Sequence, residues 1–379
     1  MPKPKPVKVG LIGSGAISGT YLNNMINRFS ILEVVGCSDI IPERSARRAE
    51  EFGIRDMTNE QIYNDPEIEI VVNTTFPLAH YEVTKAALLA GKHVVAEKMM
   101  AVGLDEGKEL VTLAADKNLR LSTAPDTFLG ASHQTARKLL EAGMIGEPCM
   151  VQAMVVRGYH PNLSAWDGLS FVSQPGGGLP FDMGGYYLHA LLDFMGPVAR
   201  CTGFAQSRRP KRTLANPRNP KFGEETSIDT INQLVGSLEF KNGVLGSLSL
   251  SADGFAEFPR IEIYGTEGIL IVPDPNNFGG DVYLRRVGKH ESYLMPPTHG
   301  YGEGCCRGVG VADMAWAIRN NRPHRVHGDM GYHAFEIIHS IWAGSLSGEI
   351  HTMQSTFTQP AAIEAGGIDD GMAEGKLAL

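Results

Sequence analysis

Three broad classes of protein are excluded by what this sequence lacks. Its five cysteines, at positions 37, 149, 201, 305 and 306, show neither Cys-x-x-Cys spacing nor an even framework. In a chain of this length they read as reduced thiols of a cytosolic protein rather than as disulfide staples. No apolar stretch approaches the roughly 18 residues that a membrane span requires. The short apolar run after the first lysines is broken by Gly10, Gly13 and Gly15, so it does not read as the apolar core of a signal peptide. Basic residues number 34 against 42 acidic, a formal charge of −8, which lacks the clustered positive field that phosphate backbones demand. The one basic run, Arg208 to Arg212, lies among prolines and asparagines and reads as a solvated loop. The histidines form no HExxH or Cys/His cluster, and the pair His324 and His327 does not change that, so no metal is expected. The expectation is a soluble, cytoplasmic protein that binds neither nucleic acid nor membrane. There is no internal repeat.

Apolar residues make up 43% of the 379 and charged residues 20%, an ordinary globular profile with length for two or three domains. Val7 to Ile12 is short and β-branched, hence a buried strand. It runs into Gly13-Ser14-Gly15-Ala16-Ile17-Ser18 and then a helical stretch, Tyr21 to Phe29. This is the G-x-G-x-x-G/A dinucleotide fingerprint with serine in the last small position. The first glycine allows the tight turn and the second lets the backbone approach a pyrophosphate, which the following helix N-terminus attracts. With 44 glycines in the chain the pattern alone is weak, but a strand precedes it and a helix follows. A second strand, Leu32 to Ser38, ends at Asp39, which lies 24 residues after Gly15 and would accept from both ribose hydroxyls. A carboxylate there repels a 2′-phosphate and favours NAD. The neighbouring Arg44, Arg47 and Arg48 leave NADP open, since an arginine can hold that phosphate.

Strands and helices go on alternating: strand Ile68 to Thr74, helix Ala79 to Ala90, strand Lys92 to Ala96, helix Leu104 to Lys117, strand Leu119 to Ala124. Such a βαβ series makes a parallel sheet with ligands at the carboxyl ends of its strands. Thr74, Thr75 and Pro77 fall at one such end, and Glu97 and Lys98 at another. His80, after Pro77, is either a helix-start residue or a nicotinamide-side contact. Past a helix from Ser132 to Ala142 the pattern turns to strands: Cys149 to Arg157, Ala199 to Ser207, Thr230 to Phe240, Val244 to Ala252 and Arg260 to Tyr264. An Asn242-Gly243 turn between two alternating runs signals a hairpin. Late helices are expected at Gly308 to Arg319 and Tyr332 to Ser347. The fold class is therefore α/β, a Rossmann domain over 1–125 followed by an α+β domain over 126–360 with a large, mostly antiparallel open sheet. Residues 361–379 form a patternless tail, expected to be mobile from Gly366.

Between the halves stands Gly176 to Gly196, three glycines followed by a helical stretch carrying Asp182, Tyr186, His189 and Asp193. At 100° per residue these four fall within about 60° of one another on a helix, a narrow polar stripe. A hydroxyl-bearing carbon that yields hydride to a nicotinamide needs a base within hydrogen-bond reach of its hydroxyl. A free tyrosine, with a pKa near ~10, serves as one only if a cation such as Lys98 lowers it, whereas a histidine titrates near ~6.5 unaided. Residue chemistry alone therefore favours His189. Tyr187, about 100° off the stripe, reads as packing, and Asp193 as structural. Trp166, Tyr159 and His160 lie in the loop before the glycines.

These features together resemble the glucose–fructose oxidoreductase / inositol dehydrogenase (Gfo/Idh/MocA) family. The resemblance rests on Gly13-x-Gly15, on Ala90-Gly91-Lys92-His93-Val94-Val95-Ala96-Glu97-Lys98, and on the glycine-rich entry to Asp182. Supporting segments are Ala142 to Gly146, Ile263 to Gly268 and Arg322-Pro323-His324; all lie within about 1–355. It implies NAD(P)-dependent oxidoreduction of a sugar, cyclic polyol or glycoside, a Rossmann domain joined to an α/β domain, and oligomer contacts through the open sheet, hence a homo-oligomer. For such a substrate Trp166, Tyr159 and His160 are candidates for a sugar-stacking wall. Two departures stand out. Met99 replaces the proline that usually follows Glu-Lys, which removes a fixed φ. Tyr186 stands where the family usually has histidine, as in the glucose–fructose oxidoreductase branch, and His189 falls where many relatives carry a second aspartate. The resemblance favours Tyr186 as the proton shuttle with Lys98 tuning it, Asp182 orienting the pair, and His189 as the rival. It also leaves open an NAD-using glycosidase that oxidises its sugar transiently, or a non-catalytic sensor.

Overall fold

The computed structural model describes residues 4–157, 172–254 and 259–364; the tail from Gly366 lies outside them. The first sheet is built of β1 (Val7–Ile12), β2 (Leu32–Ser38), β3 (Arg55–Asp56), β4 (Ile70–Asn73), β5 (His93–Ala96) and β6 (Leu121–Thr123), in the order β3-β2-β1-β4-β5-β6. All the pairings are parallel. The order reverses beside β1, the switch point at which such sheets bind dinucleotides. β1 and β4 are buried along nearly their whole length, as strands covered by helices on both faces must be. Helices Ser18–Asn27, Pro42–Phe52, Pro77–Leu89 and Leu104–Asp116 supply the cover.

The second sheet has nine strands. In sequence they are β7 (Pro148–Val156), β8 (Val198–Gln206), β11 (Gln233–Phe240), β12 (Leu245–Ser251), β13 (Arg260–Gly265), β14 (Gly268–Val272), β15 (Val282–Arg286), β16 (Tyr293–Met295) and β17 (His351–Thr352). A separate small ribbon pairs β9 (Lys211–Thr213) with β10 (Glu225–Ser227), so the basic run expected to be loop is partly strand. The large sheet runs β16-β15-β14-β13-β7-β12-β11-β8-β17. It is mostly antiparallel, as expected, but β7 and β12 at its centre are parallel. The Asn242-Gly243 hairpin is present: Gly243 has φ +88°, Asn242 Oδ1 accepts from the Val244 amide at 3.1 Å, and β11 and β12 pair antiparallel.

Helices Gly184–Met195 and Gly328–Ser347 cover one face of this sheet. The other face is open and carries Phe204 (78% exposed) directly opposite Val235 (57%). Gly328–Ser347 also packs on the first unit: a Cβ at Gly107 would lie 3.2 Å from the rings of Phe335 and Tyr332. That close contact fixes the two sheets around a shared cleft.

Candidate active site

The expected single helix across Asp182 and Tyr186 is broken. Asp182 ends a short turn, Leu179–Asp182, Met183 intervenes, and a new helix begins at Gly184. Gly178 has φ +81°, and a Cβ there would lie 2.3 Å from the Ile231 carbonyl, so only glycine fits this approach. The polar stripe divides along the axis. Asp182 and Tyr186 line the cleft, while His189 and Asp193 sit in the core. Seven residues of helix advance about 10 Å, which carries the chain from the cleft to the interior without turning its face.

The cleft encloses about 860 Å³. At its cofactor end lie Gly13, Gly15, Ala16, Ile17, Asp39, Arg44, Thr74, Thr75, Pro77 and His80; at its inner end lie Glu97, Lys98, Asp182, Tyr186 and Arg307. Gly13 has φ +101° and a Cβ there would meet the Thr75 amide nitrogen at 2.6 Å, so the turn requires glycine. Thr74 Oγ1 donates to the Gly13 carbonyl at 2.6 Å and holds the loop against β4. A Cβ at Gly15 would meet nothing within 4 Å. Backbone faces open space there, and the helix that follows has no side-chain cap on its N-terminus. Free N–H groups beside an open glycine are what a pyrophosphate needs, so these residues fit a dinucleotide. Asp39 is anchored by the Ser14 amide at 2.7 Å and the Ile41 amide at 2.8 Å, which leaves carboxylate lone pairs for further donors. Of the three arginines nearby only Arg44 lines the cleft; Arg48 is paired with Glu51 at 2.6 Å.

At the inner end Lys98 Nζ donates to Asp182 Oδ1 at 2.5 Å and lies 5.5 Å from the centre of the Tyr186 ring. Burial opposes the ammonium charge, but Asp182, Tyr186 and Glu97 outweigh it and hold Lys98 protonated, above its ordinary value. Glu97 is buried and accepts from Tyr21 Oη at 2.8 Å and from the Lys98 amide at 3.2 Å. Burial raises the Tyr186 phenol above its ordinary value; Lys98 and Arg307 pull it down without cancelling that effect. His80 is buried, its Nδ1 facing the Met99 carbonyl at 2.7 Å and its Nε2 the Thr75 carbonyl at 2.8 Å. It ties the lysine loop to the Thr75 loop, so the loop keeps an anchor where the proline is missing. Both ring nitrogens are thereby engaged within the protein.

His189 does not line the cleft. It is 1% exposed, its Nδ1 is 2.8 Å from the Gly185 carbonyl, and its ring stacks on Phe128. Burial pushes it down to about 4. Asp193 is equally buried and accepts from Arg137 Nη1 at 2.5 Å, an internal ion pair in keeping with the structural reading. Tyr187 is buried in the core and donates to Asp274 at 3.1 Å. Trp166, Tyr159 and His160 lie outside the described residues. At the inner end one residue escapes sequence reasoning altogether: Arg307, whose Nη2 donates to Tyr186 Oη at 2.9 Å. It belongs to no motif, and its only signal is a place just before a helix-starting glycine.

A parallel sheet of order 3-2-1-4-5-6 with a glycine loop at the switch point, joined to an open-sheet domain that closes the cleft, defines a two-domain dinucleotide-dependent oxidoreductase. The model of the oxidoreductase family with an NAD-binding Rossmann fold (GFO_IDH_MocA) matches residues 7–124, and that of the GFO/IDH/MocA C-terminal domain matches 133–271. The chain belongs to the Gfo/Idh/MocA family of NAD(P)-dependent oxidoreductases. It is 30% identical to a 1,5-anhydro-D-fructose reductase of Ensifer adhaerens, over 69% of this chain and 74% of that protein. It is 27% identical to a scyllo-inositol 2-dehydrogenase (NADP(+)) of Bacillus subtilis, over 71% and 69%. In fold it matches a levoglucosan dehydrogenase in complex with NADH and L-sorbose, with a TM-score of 0.78 and 21% identity over 92% of this chain and 99% of that one.

Proposed function

We propose that this chain moves a hydride between NAD and a secondary alcohol or ketone of a sugar or cyclic polyol, with Tyr186 as the proton shuttle. When bound, the nicotinamide accepts the hydride; the chain must supply everything else. In the oxidising direction the substrate hydroxyl gives its proton to the Tyr186 oxygen as the carbonyl forms. Lys98, held by Asp182, supplies positive charge beside that oxygen and beside the substrate oxygen. The observation that carries this reading is the grouping of Lys98, Asp182 and Tyr186 at the inner end of the cleft whose other end is the glycine loop. The names of the relatives, reductases and dehydrogenases of sugars and inositols, support the substrate class.

Preference for NAD is supported by Asp39 with Asp56 and Glu60 on the same cleft wall, against Arg44 as the arginine lining that end. Repulsion among carboxylates and a 2′-phosphate outweighs one partly exposed cation. The division at about residue 125 is supported by the change from parallel to mixed sheet. Assembly into a homo-oligomer is supported by the open sheet face with Phe204 and Val235. The five free thiols support a reducing, cytoplasmic location. The test is a panel of sugars and polyols incubated with NAD and with NADP, read by absorbance of the reduced cofactor. Turnover of a polyol or sugar faster with NAD is expected; turnover only with NADP overturns the role of Asp39. Product formation without reduced cofactor would favour the redox-neutral glycosidase.

A further inference from the structure

Arg307 lies outside every motif, yet it makes the one hydrogen bond to the Tyr186 oxygen that the described residues provide. Its Nη2 donates to Tyr186 Oη at 2.9 Å and to Asn276 Oδ1 at 2.8 Å, and its Nη1 reaches Cys305 Sγ at 2.9 Å. A guanidinium has only donors, so the phenol oxygen must be the acceptor. Its own proton then points away from Arg307, and the same contact strengthens once that proton leaves, because the oxygen becomes charged.

The segment carrying Arg307 is pinned to the cofactor domain. Asn24 Nδ2, on the helix that follows the glycine loop, donates to the carbonyls of Cys305 at 2.7 Å and Arg307 at 2.9 Å. Asp126, where the chain leaves β6, accepts from the amides of Gly308 at 2.9 Å and Gly310 at 3.0 Å. Asn24 and Asp126 are only 2% and 5% exposed. Four hydrogen bonds, two of them fully buried, thus fix the backbone that carries this arginine.

We propose that Arg307 is the positioning residue for the proton transfer: it orients the Tyr186 hydroxyl into the cleft and stabilises the phenolate that accepts the substrate proton. This rests on the reading of Tyr186 as the shuttle. The charged groups facing the phenol are Lys98 and Glu97 from the end of β5, Asp182 from the turn before the helix, and Arg307 from the opposite side, with the Cys305 thiol behind it. Lys98 is already committed to Asp182, so Arg307 is the cation that bonds the phenol oxygen itself. Burial works against the phenolate, and both cations work for it.

The test is a titration of Tyr186 in the full chain saturated with NAD, read as the phenolate absorbance of the protein minus that of its Tyr186→Phe counterpart. In Arg307→Gln the ionised fraction at a fixed pH below the midpoint is expected to fall about tenfold, a midpoint displaced upward by about one pH unit. Arg307→Lys keeps the charge but loses the fork, and is expected to fall between the two; it also serves if Arg307→Gln does not fold. Midpoints of both variants coinciding with that of the parent would overturn the proposal and leave Arg307 a packing residue. Turnover of Tyr186→Phe is read separately: if it persists, the shuttle reading fails while the titration still decides the role of Arg307.

Discussion

Tyr186 puts a phenol rather than an imidazole at the inner end of the cleft. Burial holds this phenol above its ordinary value, although Lys98 and Arg307 oppose that. With Tyr186 as the proposed shuttle, the anion that accepts a proton in the oxidising direction becomes more populated as pH rises. kcat/KM for alcohol oxidation is therefore expected to climb through neutrality into the alkaline range, and for carbonyl reduction, which needs the protonated phenol, to stay level or fall. A profile for oxidation that levels off below pH 7 would point instead to an imidazole. Much of this residue-level picture was legible in the sequence. Gly13, Gly15, Asp39, Lys98, Asp182 and Tyr186 all came from motif and spacing, and all line one cleft. Arg307 did not, because it meets Tyr186 from 121 positions away and nothing local marks it. His189 misled for a different reason. Chemistry made it the more natural base, but the sequence carries no signal that its ring is turned onto Phe128 and the Gly185 carbonyl.

The glycine loop and the helix behind it divide their work between folding and binding. A side chain at Gly13 would strike the Thr75 amide and would have to adopt φ +101°, so Gly13→Ala is expected to lower the melting temperature by several degrees. A side chain at Gly15 enters open space, so Gly15→Val is expected to fold with an unchanged melting temperature and to lose NAD binding by calorimetry. Equal destabilisation by both would mean that Gly15 is a folding residue only. Helices and strands with strong periodicity were readable within a few residues, as at Ala131–Glu141 and at β7, β8, β11 and β12. The break at Met183 was not, since angular arithmetic assumes an unbroken helix and says nothing of axial distance. The parallel pairing of β7 with β12 was likewise hidden: it joins strands about 100 residues apart, and pairing partners are a tertiary property. Short strands such as β14 to β16 carry too few residues for a period to register.

Across the described residues, six histidines lie in surroundings that disfavour their charged form. Burial pushes His93, His133, His189, His324, His333 and His339 each down to about 4. In the unfolded chain they would titrate near ~6.5. Between those values the unfolded state binds more protons, so stability increases with pH through that window and is lost as pH falls from about 6.5 towards 4. Asp193, raised by burial to about 6, and Asp126, also raised by burial, act with the opposite sign, but two carboxyls do not offset six imidazoles. The melting temperature is expected to be lower at pH 5 than at pH 7.5 by more than about 5 °C. A flat curve over that interval would mean that these rings are hydrated or already charged. At this scale the two-domain α/β architecture was legible because alternation and hairpin signals survive without an alignment. The closure of the two domains over one cleft was not, because it depends on packing such as that of Gly107 against Phe335.

The assignment of the proton shuttle is tested most directly by turnover of Tyr186→Phe beside His189→Asn, with the best sugar or polyol of the panel and saturating NAD. Removing the phenol hydroxyl while keeping its ring is expected to lower kcat by about 10²- to 10⁴-fold, the span typical of a lost general acid–base, and His189→Asn is expected to turn over near the parent rate. Near-parental turnover of Tyr186→Phe, with activity abolished in His189→Asn, would contradict it.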